Sequence, residues 1–378
     1  MAFQLARISR IRKAMKQRNL DVLYIRGLSN IAWATGFERV FDTESAHALI
    51  VTQERAILHS DSRYVEALER EAQNTEITID ARRMSHQAVL AEVVTSLDSD
   101  HRLQVGIEDT LMLVEFRSLE KMNAEKQDDA VPLRWVELNR FVEVLREVKD
   151  ETEIAAMKHA QGITDKAFER ILSFMKPGMT ERQVQRELDR YMFEEGAEGL
   201  AFDTIVATGA HASSPHAIPG DTPLAVGDAV VMDFGARYAG YCSDMTRTVF
   251  VGEPTSTLRH AWDTLCAVNE ECESLLASGK KACDIHHRAE VMLAEAGYEN
   301  KMGHSLGHSV GIDIHEAPNL SPLNENILKE GNVVTVEPGI YIPGKFGMRL
   351  EDFGVITSDG FNVFTQTPHK MFIIEKLN

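Results

Sequence analysis

The sequence predicts an α/β domain over residues 1–135 followed by an α+β domain over residues 136–378 that is built as two similar halves. Three observations carry this reading. At 378 residues the chain is too long for one ordinary small domain. Its first part alternates strand-like with helix-like segments. Its second part runs through one order of elements twice.

The opening stretch, MAFQLARISRIRKAMKQRNL, is basic and superficially like a presequence. Its apolar residues Leu5, Ile8, Ile11 and Met15 fall at helical spacing, and no continuous apolar run or small-residue cleavage site follows. An amphipathic helix and a cytoplasmic protein are expected. Strand-like segments then begin at Asp21 (DVLYI), His47 (HALIVT), Arg55 (RAILHS), Thr75 (TEITID) and Leu103 (LQVGIE). Helical stretches such as SRYVEALEREA and SHQAVLAEVVTSL separate them, which predicts a mixed sheet. The polar stretch NAEKQDDAVPLRW, holding Pro132, marks the edge of this domain.

The second part opens with a helix from Glu151 to Met175, whose acidic first turn suits the positive end of the helix dipole. A second helix follows Thr180-x-x-Gln183, a capping box, and stops at Gly196. Strands and a hairpin come next. The order then repeats: helix Thr257 to Ala277, helix Asp284 to Ala296 stopped by Gly297, strands, hairpin. Asp233 and Asp244 flank the first hairpin turn, around Ala239-Gly240. Glu337 and Glu351 flank the second, around Gly344 to Gly347. Two such halves facing each other bring two carboxylate pairs to one centre.

Composition excludes several classes. With 44% apolar and 26% charged residues the chain reads as a soluble globular protein. No apolar run approaches the roughly 20 residues of a membrane span. A net charge of −18 argues against nucleic acid and anionic membranes as partners. Cys242, Cys266, Cys272 and Cys283 lack CxxC spacing and are expected as reduced, mostly buried thiols. No phosphate or dinucleotide loop is present; GARYAG is not a GxGxxG fingerprint.

The chemistry is concentrated in Asp233, Asp244, His308, Glu337 and Glu351. Single acids in strands are mostly solvated. Here they lie in apolar contexts, VVMDFGA and VVTVEPG, where a buried unpaired carboxylate is costly. Four carboxylates and an imidazole form a hard, oxygen-rich set suited to two divalent ions such as Mn²⁺, Co²⁺ or Zn²⁺; the set itself does not choose among them, and Mn²⁺ is the first expectation.

These residues carry a resemblance. The blocks AFDTIVATG, SPHAIPGD, DFGARYAGYCSDMTRT, GHSLGHSVGIDIHEAP, VEPGIYIPGKFG and MRLEDFG stand in the order and spacing of the creatinase/methionine aminopeptidase family. Within it the chain looks like the Xaa-Pro aminopeptidase and Xaa-Pro dipeptidase (prolidase) branch. SNIAWATGF, DSRYVEAL and VGIED are similar to the creatinase-type N-terminal domain. The resemblance implies a pita-bread catalytic domain with an internal pseudo-two-fold repeat. It implies that Asp233 holds one metal, that His308 and Glu337 hold the other, and that Asp244 and Glu351 bridge them. It places His216 and His315 at the scissile bond, His304, Arg349 and Tyr241 behind the ligands, and Phe202 in a proline pocket. Phe353 departs from the family, where a polar residue often stands.

The expected chemistry is hydrolysis of Xaa-Pro bonds by a metal-bridging hydroxide, with Glu337 carrying the proton. An Xaa-Pro aminopeptidase is the first reading. An Xaa-Pro dipeptidase, or a relative acting on a non-peptide metabolite, is the alternative. A homodimer is expected from the resemblance. His260, His286 and His287 are expected on helix surfaces, and His211 as an exposed loop residue.

Overall fold

Alternating strands and helices of the first part close into a six-stranded mixed sheet. The computed structural model describes residues 2–42, 44–124 and 133–375. The sheet runs, in spatial order, through Ile77–Asp80, Ala56–His59, Ala48–Thr52, Val22–Ile25, Leu103–Glu108 and Leu133–Leu138. The Val22, Ala48 and Ala56 strands pair antiparallel in succession, and the remaining pairings are parallel. The opening helix, Ala2–Gln17, buries Ile8, Ile11 and Met15 completely, as the apolar stripe requires. Leu5 lies outside the residues whose side chains are described.

The first unit extends to Arg146 and the second begins at Glu147, beyond the expected edge at residue 135. The reason is physical. Leu133–Leu138 extends the sheet beside Leu103–Glu108, and the short helix Phe141–Arg146 follows it within the same unit. Most of the polar stretch before Leu133 lies outside the described residues.

In the second unit the repeat of elements holds. Helix Glu151–Phe174 starts from a capping box on Asp150, and helix Glu181–Glu194 from the expected box on Thr180. Both pack on the strands Ile205–Thr208, Ala229–Phe234 and Met245–Val251 through a core that includes Phe168, Met192 and Phe234. In the second half, helices Ser256–Leu275 and Ala282–Glu295 pack on Val333–Val336 and its neighbours through Trp262, Leu293 and Met348.

The repeat positions the acids. Asp233 sits at the end of one strand and Asp244 immediately before its antiparallel partner, Met245–Val251. Glu337 directly follows Val333–Val336, and Glu351 directly precedes its antiparallel partner, Asp352–Ile356. The turn at Ala239-Gly240 has positive φ at both residues, the twist that a tight hairpin needs.

Candidate metal centre and cleft

All five expected ligand residues line one cleft of about 880 Å³ in the second unit, together with His216, His304, His315, Phe202 and Arg349. Ligand atoms of Asp244, His308 and Glu351 lie within 4.8 Å of one another. His308 Nδ1 donates to the Ser309 carbonyl at 3.1 Å. Its Nε2 lone pair is thereby left facing Asp244 Oδ2 and Glu337 Oε1, each at 3.5 Å. The glycine before it is obligatory: a Cβ on Gly307 would lie 2.1 Å from the Thr335 carbonyl of the neighbouring strand.

Supporting groups orient each carboxylate. Thr335 Oγ1 donates to Glu337 Oε1 at 3.2 Å, and Thr246 Oγ1 donates to Glu351 Oε2 at 2.7 Å. Arg349 is buried; it pairs with Asp233 Oδ2, donates to Thr246 Oγ1 at 2.9 Å and to the Tyr341 hydroxyl at 2.8 Å. His304 Nε2 meets the same hydroxyl at 3.3 Å. The tyrosine beside the centre is therefore Tyr341, four residues after Glu337 in the block VEPGIYIPGKFG. Tyr241 corrects an expectation, because its hydroxyl donates to Glu153 Oε1 on the Glu151–Phe174 helix at 2.9 Å instead of facing the ligands.

The electrostatics fit bound cations. Four buried or nearly buried carboxylates meet one guanidinium. Burial, then repulsion from its fellow acids, pushes Asp244 well above the usual carboxylate range, and Glu351 likewise. Burial also raises Glu337. Asp233 Oδ1 is buried without a hydrogen-bond partner. Such a set is stable in ionised form only with more positive charge than Arg349 brings, and oxygen donors with one imidazole suit divalent metals. Burial lowers His304, His308 and His315, which favours their neutral, lone-pair-bearing forms. The His315 ring stands edge-on to His308, with centroids 4.5 Å apart.

Other histidines depart from expectation. His286 is buried and its Nδ1 accepts from the Leu306 N–H at 3.1 Å. His211 is no idle loop residue, since its Nδ1 donates to the wholly buried Glu181 at 2.8 Å. His260 and His287 are exposed as expected. Phe353 is completely buried and packs edge-on to Phe364, so this position serves the core. The neighbouring acid, Asp352, pairs instead with the buried Arg247 at 2.6 Å and with His369. All four cysteines are free, and three are buried.

Residues 155–358 match metallopeptidase family M24, and residues 7–148 match the creatinase/prolidase N-terminal domain. An uncharacterised peptidase of Bacillus subtilis is 34% identical over 97% of this chain and 100% of its own length. Among solved structures, an Xaa-Pro dipeptidase from Bacillus anthracis is 33% identical with a TM-score of 0.89, covering 98% of this chain and 99% of that one. An X-Pro aminopeptidase from Thermotoga maritima is 31% identical with a TM-score of 0.84, covering 96% of this chain and 100% of that one. The creatinase-type N-terminal domain and pita-bread catalytic domain expected from the sequence hold.

Proposed function

The chain belongs to metallopeptidase family M24, and from that premise we propose that it is an Xaa-Pro aminopeptidase, removing the residue that precedes a penultimate proline. The observation that favours this reading over a dipeptidase is the charge of the cleft wall. Arg349 is the one arginine or lysine among the described residues that line it, and its guanidinium is engaged by Asp233, Thr246 and Tyr341. Among those residues no second fixed cation waits for the carboxylate of a free proline, whereas Asp203 stands exposed on the same wall. A longer peptide, whose proline is followed by an amide, suits such a wall better.

Asp233, Asp244, His308, Glu337 and Glu351 would hold two divalent ions, with Asp244 and Glu351 shared between them. When bound, the ions supply Lewis-acid polarisation of the scissile carbonyl and a water acidified towards neutrality. Glu337 accepts a proton and returns it to the leaving nitrogen. That return matters because a prolyl nitrogen belongs to a tertiary amide and leaves poorly unprotonated. His216 and His315 donate to the developing oxyanion. Phe202 offers the proline ring an apolar wall. Manganese, a homodimer and a cytoplasmic location complete the reading; no helix among the described residues is long and apolar enough to cross a membrane.

Hydrolysis by Mn²⁺-loaded enzyme of an Xaa-Pro dipeptide beside an Xaa-Pro-Yaa tripeptide tests this, with elemental analysis for two ions per chain. Tripeptide cleavage is expected. Cleavage of the dipeptide alone makes the protein a prolidase, and cleavage of neither moves the substrate outside Xaa-Pro peptides.

A further inference from the structure

His315 sits at the end of a short loop, residues 310–315, that joins the strands Gly307–Ser309 and Glu316–Leu320. Ser309 and Glu316 face each other where the hairpin opens. Between them lies Lys149, whose side chain is 1% exposed although it comes from the first residues of the unit. Its Nζ donates to Ser309 Oγ and to Glu316 Oε2, each at 3.1 Å. The backbone N–H of Lys149 is fixed in turn by the Gly331 carbonyl at 2.9 Å.

The other oxygen of Glu316 shapes the loop. Oε1 accepts from the Asp313 N–H at 3.1 Å, and the carboxylate lies so close to Gly311 that a Cβ there would sit 2.4 Å from it. The loop's outer carbonyls are held by the first half: Cys242 N–H donates to Gly311 O at 2.8 Å and Arg237 Nη1 to Ile312 O at 3.0 Å. One carboxylate therefore sets the loop from inside, and one buried ammonium makes its charge tolerable. A buried pair of this kind adds little net stability, and losing either partner leaves an uncompensated charge. Its contacts, one to the hairpin base and one to the Asp313 N–H, point to a geometric task.

We propose that Lys149 and Glu316 are positioning residues for His315: their ion pair closes the base of the 310–315 loop and holds the imidazole against His308. The proposal rests on the role given above to His315. Positioning of this kind acts on turnover, since a shift of about 1 Å in a reacting group costs on the order of a hundredfold.

The test is a double-mutant cycle on metal-loaded enzyme, with metal content and the melting temperature of the metal-free protein as independent readouts. Glu316→Gln and Lys149→Met are each expected to lower kcat about a hundredfold, with KM within about threefold of wild type and metal content unchanged. Gly311→Ala should reproduce the loss, because it displaces the same carboxylate. In a His315→Ala background, adding Glu316→Gln should cost less than about twofold more, since the group being positioned is gone. Should either single variant fail to fold, Lys149→Met/Glu316→Gln removes both buried charges and reads the same loss. Losses that multiply with His315→Ala, metal content that falls with activity, or an unchanged kcat in Glu316→Gln would each overturn the proposal. Full activity of His315→Ala removes its premise, whereas a crippled His315→Ala beside an active Glu316→Gln defeats the positioning claim alone.

Discussion

Each half of the catalytic unit carries one cleft histidine on a loop pinned by a buried glutamate, and the two loops are built to different ends. In the first half Glu181, wholly buried, accepts from the N–H groups of Thr208 and Gly220 at 2.9 Å each and from His211. One carboxylate thus ties both ends of a long loop that presents His216 and an 84% exposed Ile218 to the cleft. In the second half Glu316 braces a shorter loop from within and is paired with the buried Lys149. The long loop offers surface for the substrate, and the short one offers a fixed imidazole. His308, the imidazole proposed as a metal ligand, also lies in the second half, which puts the proposed chemistry on that side and the proposed substrate surface on the other.

The largest test of this division removes what the halves share. Asp244→Ala or Glu351→Ala should reduce activity to background and lower metal content, because each deletes a carboxylate from the common centre. Full activity in either variant would break the picture of two halves meeting at one dinuclear site. Next comes Glu181→Gln, which loosens the His216 loop. We expect about a tenfold loss of kcat/KM, carried mainly by KM, in contrast to the turnover loss of Glu316→Gln. A pure kcat effect at Glu181 would erase the contrast. Ile218→Ala should raise KM by about fivefold for peptides with bulky apolar side chains and leave kcat in place, because the truncation takes away apolar surface that such a substrate covers on binding. Equal kinetics for bulky and small substrates in both proteins would remove Ile218 from the substrate surface.

A smaller effect concerns Glu273, a second-half residue on Ser256–Leu275. Burial, then the charge of Asp352, pushes its carboxyl from 4.5 to about 8. The folded chain therefore keeps a proton that the unfolded chain releases across that window. Its contribution to stability is complete below about pH 4.5 and declines as pH rises through about 8. Melting temperatures of wild type should fall across this range more steeply than those of Glu273→Gln. Parallel curves would show that Glu273 does not set the slope.

Much of this is legible in sequence, for reasons of locality. The capping box at Thr180 and the helix-ending glycines, Gly196 and Gly297, are signals written within a few residues, and the helices follow them. Asp233 and Glu337 are visible because each sits in an apolar run, VVMDFGA and VVTVEPG, and Asp244 and Glu351 because each closes the hairpin that one of those two opens. Leu133–Leu138 is hard to recognise as a strand, since it directly follows Pro132 and is only partly buried at Trp135 and Val136. Lys149, Glu181 and Glu316 look like ordinary surface charges in the sequence. Their meaning lies largely in distant partners, 27 residues away for Glu181 and Thr208 and 167 for Lys149 and Glu316, which no short window of sequence displays. Tyr241 and Tyr341 teach the same lesson: both lie in hairpin strands, yet one hydroxyl meets Glu153 and the other Arg349 and His304.

The cleft is closed by long reaches of chain. Arg349 meets Asp233 across 116 residues, and Thr246 meets Glu351 across 105. Pairings of such separation form late and together, because the entropy of closing large loops must be met before they give anything back. A chain emerging from the ribosome has no hydrolytic centre until the strand after Glu351 has been made and paired. Metal binding by the proposed ligands of both halves would then draw the last folding step to completion.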